Sequence, residues 1–320
     1  MQTRIRSLCA LGACVVAACS PQSDGSVADQ VATDSNWQHP VTEWGEPDLR
    51  GMWPIGHLTG VPLQRPPELG DRRYLTDEEL AARQQQYTGI QGAYKQEIDT
   101  NKMGMGHWVE WGKANRLTSL IIDPPNGQLP ALTAEGERRR ALMHSGWMSI
   151  PFDHWTDFDN WDRCITRGLP ASMLPAYYNN GVEILQSPGY VVVRLEMIHE
   201  ARVIPLDRRA RAKGPRKYLG DARGWWEDNT LVVETSNFLP ETAPQGATEQ
   251  VVMTERFTAV SPAVVEWRVT FEDPNTWTRP WTYVMPLTKV DHTQQVFEYA
   301  CHEGNHAMRN ILSAARAEEK

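Results

Sequence analysis

From Ile184 to Cys301 the chain is a succession of short runs rich in Val, Ile, Thr and aromatic residues, each bounded by turn-forming residues. The runs Ile184–Gln186, Tyr190–His199, Arg202–Leu206, Ala222–Glu227, Thr230–Asn237, Gln250–Thr258, Val264–Glu272, Thr278–Leu287 and Val296–Cys301 read as strands at short spacing. Asp228-Asn229 supplies a hairpin turn between two of them. In Val264–Glu272, residues Val265, Trp267, Val269 and Phe271 share one face and Glu266, Arg268, Thr270 and Glu272 the other, the period of a strand with one buried side. This many strands leave costly edges unless the sheet closes. The expected fold is therefore mainly β: a closed antiparallel meander barrel of about eight to ten strands, with an N-terminal arm and two or three helices outside it.

The preceding residues have another texture. Trp37 to Gly70 is crowded with Pro, Gly and Trp and has no clean period, so an extended arm is expected there. Thr76 and Glu79 form a capping box, which starts a helix at Asp77 that is expected to run to about Tyr87. Arg116–Ile122 reads as a short strand ended by Asp123-Pro124-Pro125-Asn126-Gly127, and Thr133 caps a second helix running to about His144. Residues 146–180 form a Trp-, Asp- and Pro-rich connection, of a length more often functional than idle.

At the N-terminus, Arg4 and Arg6 precede an apolar run from Leu8 to Ala18, too short to span a bilayer and suited to export. Its end, Val16-Ala17-Ala18-Cys19, resembles a bacterial lipobox. The resemblance implies a signal peptide over residues 1–18, lipidation at Cys19, a flexible tether over 19–36, and a periplasmic protein anchored to the outer membrane. Residues 37–320 are then expected to be one domain, with an irregular and helical wrap (37–180) around the β-barrel (181–320). On that reading Cys9 and Cys14 leave with the signal, so Cys164 and Cys301 remain to form one disulfide. A net charge of −8 argues against a nucleic-acid partner, and the basic cluster Arg208–Lys217 is broken by Gly214 and Pro215.

The runs Tyr218-Leu219-Gly220-Asp221-Ala222-Arg223-Gly224-Trp225-Trp226-Glu227, Thr230 to Phe238, Thr276-Trp277-Thr278-Arg279-Pro280-Trp281 and Glu298-Tyr299-Ala300-Cys301-His302-Glu303-Gly304-Asn305 resemble signatures of a large uncharacterised family of exported bacterial proteins. The resemblance implies a single integrated fold and brings no activity. The strand pattern is also similar to that of lipocalins and other calycins, an analogy of fold alone.

His302-Glu303-Gly304-Asn305-His306 matches the H-E-x-x-H spacing of zinc proteases, but it follows an expected strand and has Gly-Asn inside, where the metal site needs a helix. An acid–base site is the better expectation. His302 is the general acid or base, Glu303 or Asp221 orients it, His199 is a second proton carrier, and Arg223 or Arg279 holds an anionic group. Trp277, Trp281, Tyr178 and Asn179 are expected to bind the substrate, a hydrophobic, aromatic or sugar-like small molecule. No cofactor is expected. The alternative is a divalent metal held by His199, His302 and Glu196. The expected activity is that of a lyase, isomerase or hydrolase, and the competing class is a lipocalin-like binding lipoprotein without turnover. No G-x-S-x-G elbow, dinucleotide loop or P-loop occurs in the sequence.

Overall fold

The computed structural model describes residues 37–102, 104–110, 114–142, 152–207, 214–290 and 295–319. The expected signal peptide, Cys19 and the tether lie outside them. Ten strands and three helices are described: β1 (Gly51–Met52), α1 (Asp77–Asp99), β2 (Ile121–Asp123), α2 (Ala134–Arg140), β3 (Val182–Ser187), β4 (Tyr190–Leu195), β5 (Ala201–Pro205), β6 (Asp221–Glu227), β7 (Thr230–Ser236), β8 (Val252–Ser261), β9 (Val264–Glu272), β10 (Trp281–Thr288) and α3 (Ala307–Glu318). None of these helices is long and apolar enough to cross a membrane.

The strands form two antiparallel sheets, ordered β1-β3-β4-β5 and β2-β10-β9-β8-β7-β6. Both are meanders with a short strand from the N-terminal region added at one edge, and Asp228 turns β6 into β7 with a left-handed φ of 50°. Among the described residues no ladder closes the sheets into the expected barrel. They approach at both seams instead. Val290 N donates to Met52 O at 3.2 Å on one side. On the other, Ile204 and Leu206 lie so close to Gly224 on β6 that a Cβ there would meet both at 2.9 Å.

The alternation in β9 has the expected consequence: Val265, Trp267, Val269 and Phe271 are all fully buried. Register then builds a ladder of rings. Phe257 lies opposite Trp267 across β8 and β9, and Trp281 opposite Phe271 across β9 and β10. The ring centroids of Phe257 and Trp267 are 5.7 Å apart, those of Phe271 and Trp281 4.4 Å. Aromatic pairs at such spacings add about 0.5–1.5 kcal/mol each beyond area burial. The interior expected to hold a ligand is thus filled by side chains.

At its centre is an ion pair. Arg202 on β5 grips Glu255 on β8, with Nη1 donating to Oε1 at 2.8 Å and Nη2 to Oε2. The two side chains are 2% and 0% exposed. Trp267 Nε1 donates to Glu255 Oε1 at 3.1 Å, and Met173 Sδ lies 3.1 Å from Arg202 Nη1. Glu255 therefore does not pair with its neighbour Arg256, which reaches Glu227 on the outer surface at 2.8 Å.

Thr76 and Glu79 form the expected capping box, and Thr133 accepts from Gly136 N to cap α2. The first helix is longer than expected because nothing after Tyr87 stops it: Gly89 and Gly92 cost only about 1 kcal/mol each in a helix interior, and no proline intervenes. Tyr87 is its one buried residue and donates to Thr59 O at 2.8 Å, while Arg83 reaches the carbonyls of Asn115 and Leu117. The strand expected at Arg116–Ile122 is shorter and later, as β2 with an isolated bridge at Leu117. Tyr190–His199 stops being a strand at Leu195, and a turn with Ile198 and His199 at φ 54° and 44° folds it back into β5.

Replacing one partner of the buried pair, as in Glu255→Gln, strands the other charge and is expected to cost about 3–5 kcal/mol of unfolding free energy in urea. Tyr283→Phe, which removes a buried hydroxyl with no partner among the described residues, is expected to leave stability unchanged or raise it in the same assay.

Candidate functional site

The site lies outside the packed interior. Val296–Cys301 was expected to be a strand but is irregular, and Phe297 is 73% exposed. After it, Met308, Ile311, Leu312 and Ala315 recur at helical spacing along α3 and form its partly buried stripe. This C-terminal strap is tied to the body by the expected disulfide between Cys164 and Cys301, which are 137 positions apart in sequence. His199 Nδ1 lies 3.0 Å from Tyr299 O, and Arg316 pairs with Asp153 at 2.7 Å.

Between strap and body is an open cleft of about 920 Å³. Six rings line it: Trp108, Phe158, Trp161, Tyr178, Phe297 and Tyr299. Five carboxylates join them: Glu110, Asp162, Glu196, Glu298 and Glu303. Trp155, 50% exposed, does not line the cleft.

Glu196 is the most constrained of these groups. It follows β4 at the left-handed turn and is 5% exposed. Its Oε1 accepts from Asn179 Nδ2 at 2.8 Å and its Oε2 from Gly181 N at 3.0 Å. A Cβ at residue 181 would sit 2.3 Å from Oε2, so glycine is what lets the carboxylate approach the backbone. Glu110 holds the other side of the same loop, accepting from Asn179 N at 2.7 Å and Asn180 Nδ2 at 2.9 Å. Burial pushes the Glu196 carboxyl above its ordinary range, and the like charge of Glu110 adds to this, against the opposing pull of Asn179 and the Gly181 and Phe297 amides. The Tyr178 hydroxyl, hydrogen-bonded to Tyr299, is likewise pushed up by burial and keeps its proton to higher pH.

The structure gathers only part of the expected constellation. Tyr178, Asn179, Glu196 and Glu303 line the cleft. His199 supports its wall through Tyr299, while His302 is exposed and does not line it. Asp221 sits at the start of β6; burial raises its pKa, but Lys217 and Asn237 outweigh that and hold it below the ordinary range, so it ties a loop together. Arg223 lies 3.7 Å from Asp207, and Arg279 pairs with Asp123 at 2.7 Å on the outer edge of β2; neither lines the cleft. Trp277 and Trp281, expected to bind substrate, are 2% and 0% exposed in the core, where the β9–β10 register stacks Trp281 on Phe271 and Trp277, before β10, packs tilted against the same ring at 6.3 Å. The sequence His302–His306 forms a turn before α3, with Gly304 at φ 65°, so its histidines are not on one helical face. Among the described residues no group of three or more His, Cys, Asp or Glu is placed to hold a metal ion, and His199, His302 and Glu196 are not assembled as one.

Glu110, Glu298, Trp108 and Phe158 were not singled out as a group from sequence, since they come from segments that only the fold brings together. The signal that existed was compositional: aromatic and acidic residues crowd 146–180 and flank Cys301. Comparison with family models, with curated proteins and with solved structures finds no match for this chain.

Two measurements follow. In carboxyl-carbon NMR, Glu196 is expected to titrate above an exposed glutamate, moving further up in Asn179→Ala and down in Glu110→Gln. Since the native state then holds this proton to higher pH than the unfolded chain, the associated stability is present at low pH and lost as pH rises through the native pKa. Removing both cysteines (Cys164→Ser with Cys301→Ser) is expected to cost up to about 4–5 kcal/mol in the chain-entropy picture and to speed native amide exchange across 295–319 before β8 and β9 are affected.

Proposed function

We propose that the cleft binds a small organic molecule with a ring-like or apolar face, and that Glu196 accepts a proton from it, making the chain an acid–base enzyme of the lyase, isomerase or hydrolase type. The observation that carries this reading is a buried carboxylate with a raised pKa in the wall of an aromatic-lined cleft. A base works best when its pKa approaches the working pH, and desolvation moves Glu196 that way. Tyr178, which retains its proton, is the matching acid. Asn179 orients the base and Glu110 fixes Asn179, so the chemistry expected of His302 and His199 passes to this group. We also infer that the two sheets are halves of one calycin-like barrel, a reading supported by their approach at both seams. Export with a lipid anchor at Cys19 is supported by the N-terminal sequence and by a disulfide suited to an oxidising compartment.

A second reading, a binding protein without turnover, is favoured by one feature: both Glu196 oxygens already accept hydrogen bonds, as in a purely structural tie. A screen of small organic compounds with the mature protein separates the two. The enzyme is expected to show turnover that rises as pH passes the raised Glu196 pKa and falls by about 10²–10⁴-fold in Glu196→Gln, with ligand-induced tryptophan quenching retained. Turnover unaffected by Glu196→Gln overturns the assignment, and quenching without product at any pH selects the binding protein.

A further inference from the structure

We infer that the ligand of this cleft is an organic cation, a substituted or quaternary ammonium group seated among the aromatic rings and neutralised by the surrounding carboxylates. The inference rests on reading the cleft as a binding site and adds the charge of its occupant. That charge is opposite to the one for which Arg223 and Arg279 seemed suited, and both arginines are engaged elsewhere.

Three observations converge. The first is the charge inventory: five carboxylates line the cleft against a single imidazole, that of His107, and none of its described lining residues is Lys or Arg. The second is the lack of compensation. Several carboxylates elsewhere are matched by an arginine, Glu79 with Arg72, Glu183 with Arg194, Glu227 with Arg256 and Asp123 with Arg279, while buried Asp273 is held by the Thr248 and Asn275 amides and the Thr276 hydroxyl. Within the cleft, Glu110, Glu196, Glu298 and Glu303 have no ion-pair partner among the described residues. The mutual repulsion of Glu110 and Glu196 registers in the raised pKa of the latter. A bound cation supplies the missing charge, and in a partly desolvated cleft an unscreened attraction is worth several times its value in water.

The third observation is independent of charge count. The six rings present π-faces or edges to a cavity of about 920 Å³, large enough for an alkylammonium with an organic substituent. Aromatic faces attract cations through their quadrupole, most strongly tryptophan, and clusters of such rings hold quaternary ammonium groups that no hydrogen bond can hold. One lining ring is already engaged in this way, with the Arg167 guanidinium 4.5 Å from the Trp161 ring, which leaves the other rings of the cleft to a ligand. Carboxylates alone suit a small hydrated metal ion, and rings alone suit a neutral hydrocarbon. Their combination, with no three metal-ligating groups converging among the described residues, suits an organic cation.

The test is equilibrium binding to the mature protein, followed by tryptophan fluorescence, using three probes of similar size: choline, its neutral carbon isostere dimethylbutanol, and the anion pivalate. Choline is expected to bind at least about tenfold more tightly than dimethylbutanol, the scale of a partly desolvated cation–π and ion-pair contribution, and pivalate least of all. Raising the salt concentration is expected to weaken choline and leave dimethylbutanol unchanged. Glu298→Gln with Glu303→Gln changes two exposed residues and spares the folded core. This double variant is expected to bring choline at least about threefold closer to dimethylbutanol, with the neutral probe unmoved. Equal affinities for the two isosteres, tighter binding of pivalate, or no choline binding at tens of millimolar overturns the inference. Failure of Glu196 as a base is read separately, because Glu196→Gln lowers turnover by about 10²–10⁴-fold and retains most choline binding if both readings hold. Choline binding with no effect of Glu196→Gln on turnover sinks the catalytic role alone.

Discussion

Two sheets are held face to face by one ion pair that water never reaches. Taking Arg202 and Glu255 out of solvent is expensive, and only a full set of partners makes it tolerable. Both oxygens of Glu255 meet the guanidinium, and Trp267 adds a donor to one of them. Because Arg202 belongs to β5 and Glu255 to β8, the pair specifies which part of one sheet faces which part of the other. The ring ladder from Phe257 to Trp281 supplies apolar burial in quantity but is less particular about alignment. Aromatic packing gives this interior its energy, and the buried charge gives it a single arrangement.

A filled interior forces any binding site elsewhere. The chain meets that constraint by bringing 107–110, 158–162, 178–179 and the strap together beyond the ends of the strands. Rigid and adaptable parts are combined there. Glu196 and Asn179 are fixed by the end of β4 and the backbone of Gly181, whereas Phe297, Glu298 and Glu303 ride on a strap held by a disulfide and a few polar contacts. On the function proposed above, reactive geometry would belong to the first set and ligand contact largely to the second.

The sheets were legible because a half-buried strand writes its period into adjacent residues. Val265, Trp267, Val269 and Phe271 announce their face without reference to anything distant, and Thr76 with Glu79 announce a helix start in four residues. How the edges of the two sheets approach one another was not legible in that way, since it depends on β5 nearing β6 and on Val290, just after β10, reaching Met52 on β1. Val296–Cys301 misled because its alternation is that of a strand, but no neighbouring edge pairs with it and the disulfide and the turns at 300–304 set its path. The site was legible in kind and not in membership. Glu196, Tyr178, Asn179 and Glu303 belonged to the expected set, but only the fold shows that Gly181 admits a carboxylate where any side chain would exclude it. Trp277 and Trp281 looked like ligand-binding rings because burial cannot be read from residue type when a sheet has rings on both faces.

The strap divides the molecule into parts that selection can alter at different rates. A change at Trp267 or Glu255 propagates through every strand that packs on it, so the interior drifts slowly. A change at Phe297, Glu298 or Glu303 alters one wall of the cleft, and none of the three lies in a strand. On the function proposed above, with Glu196 fixed just after β4 and the other wall on a tethered segment, relatives that keep the same sheets and exchange residues 297–311 would inherit the chemistry while acquiring new ligands.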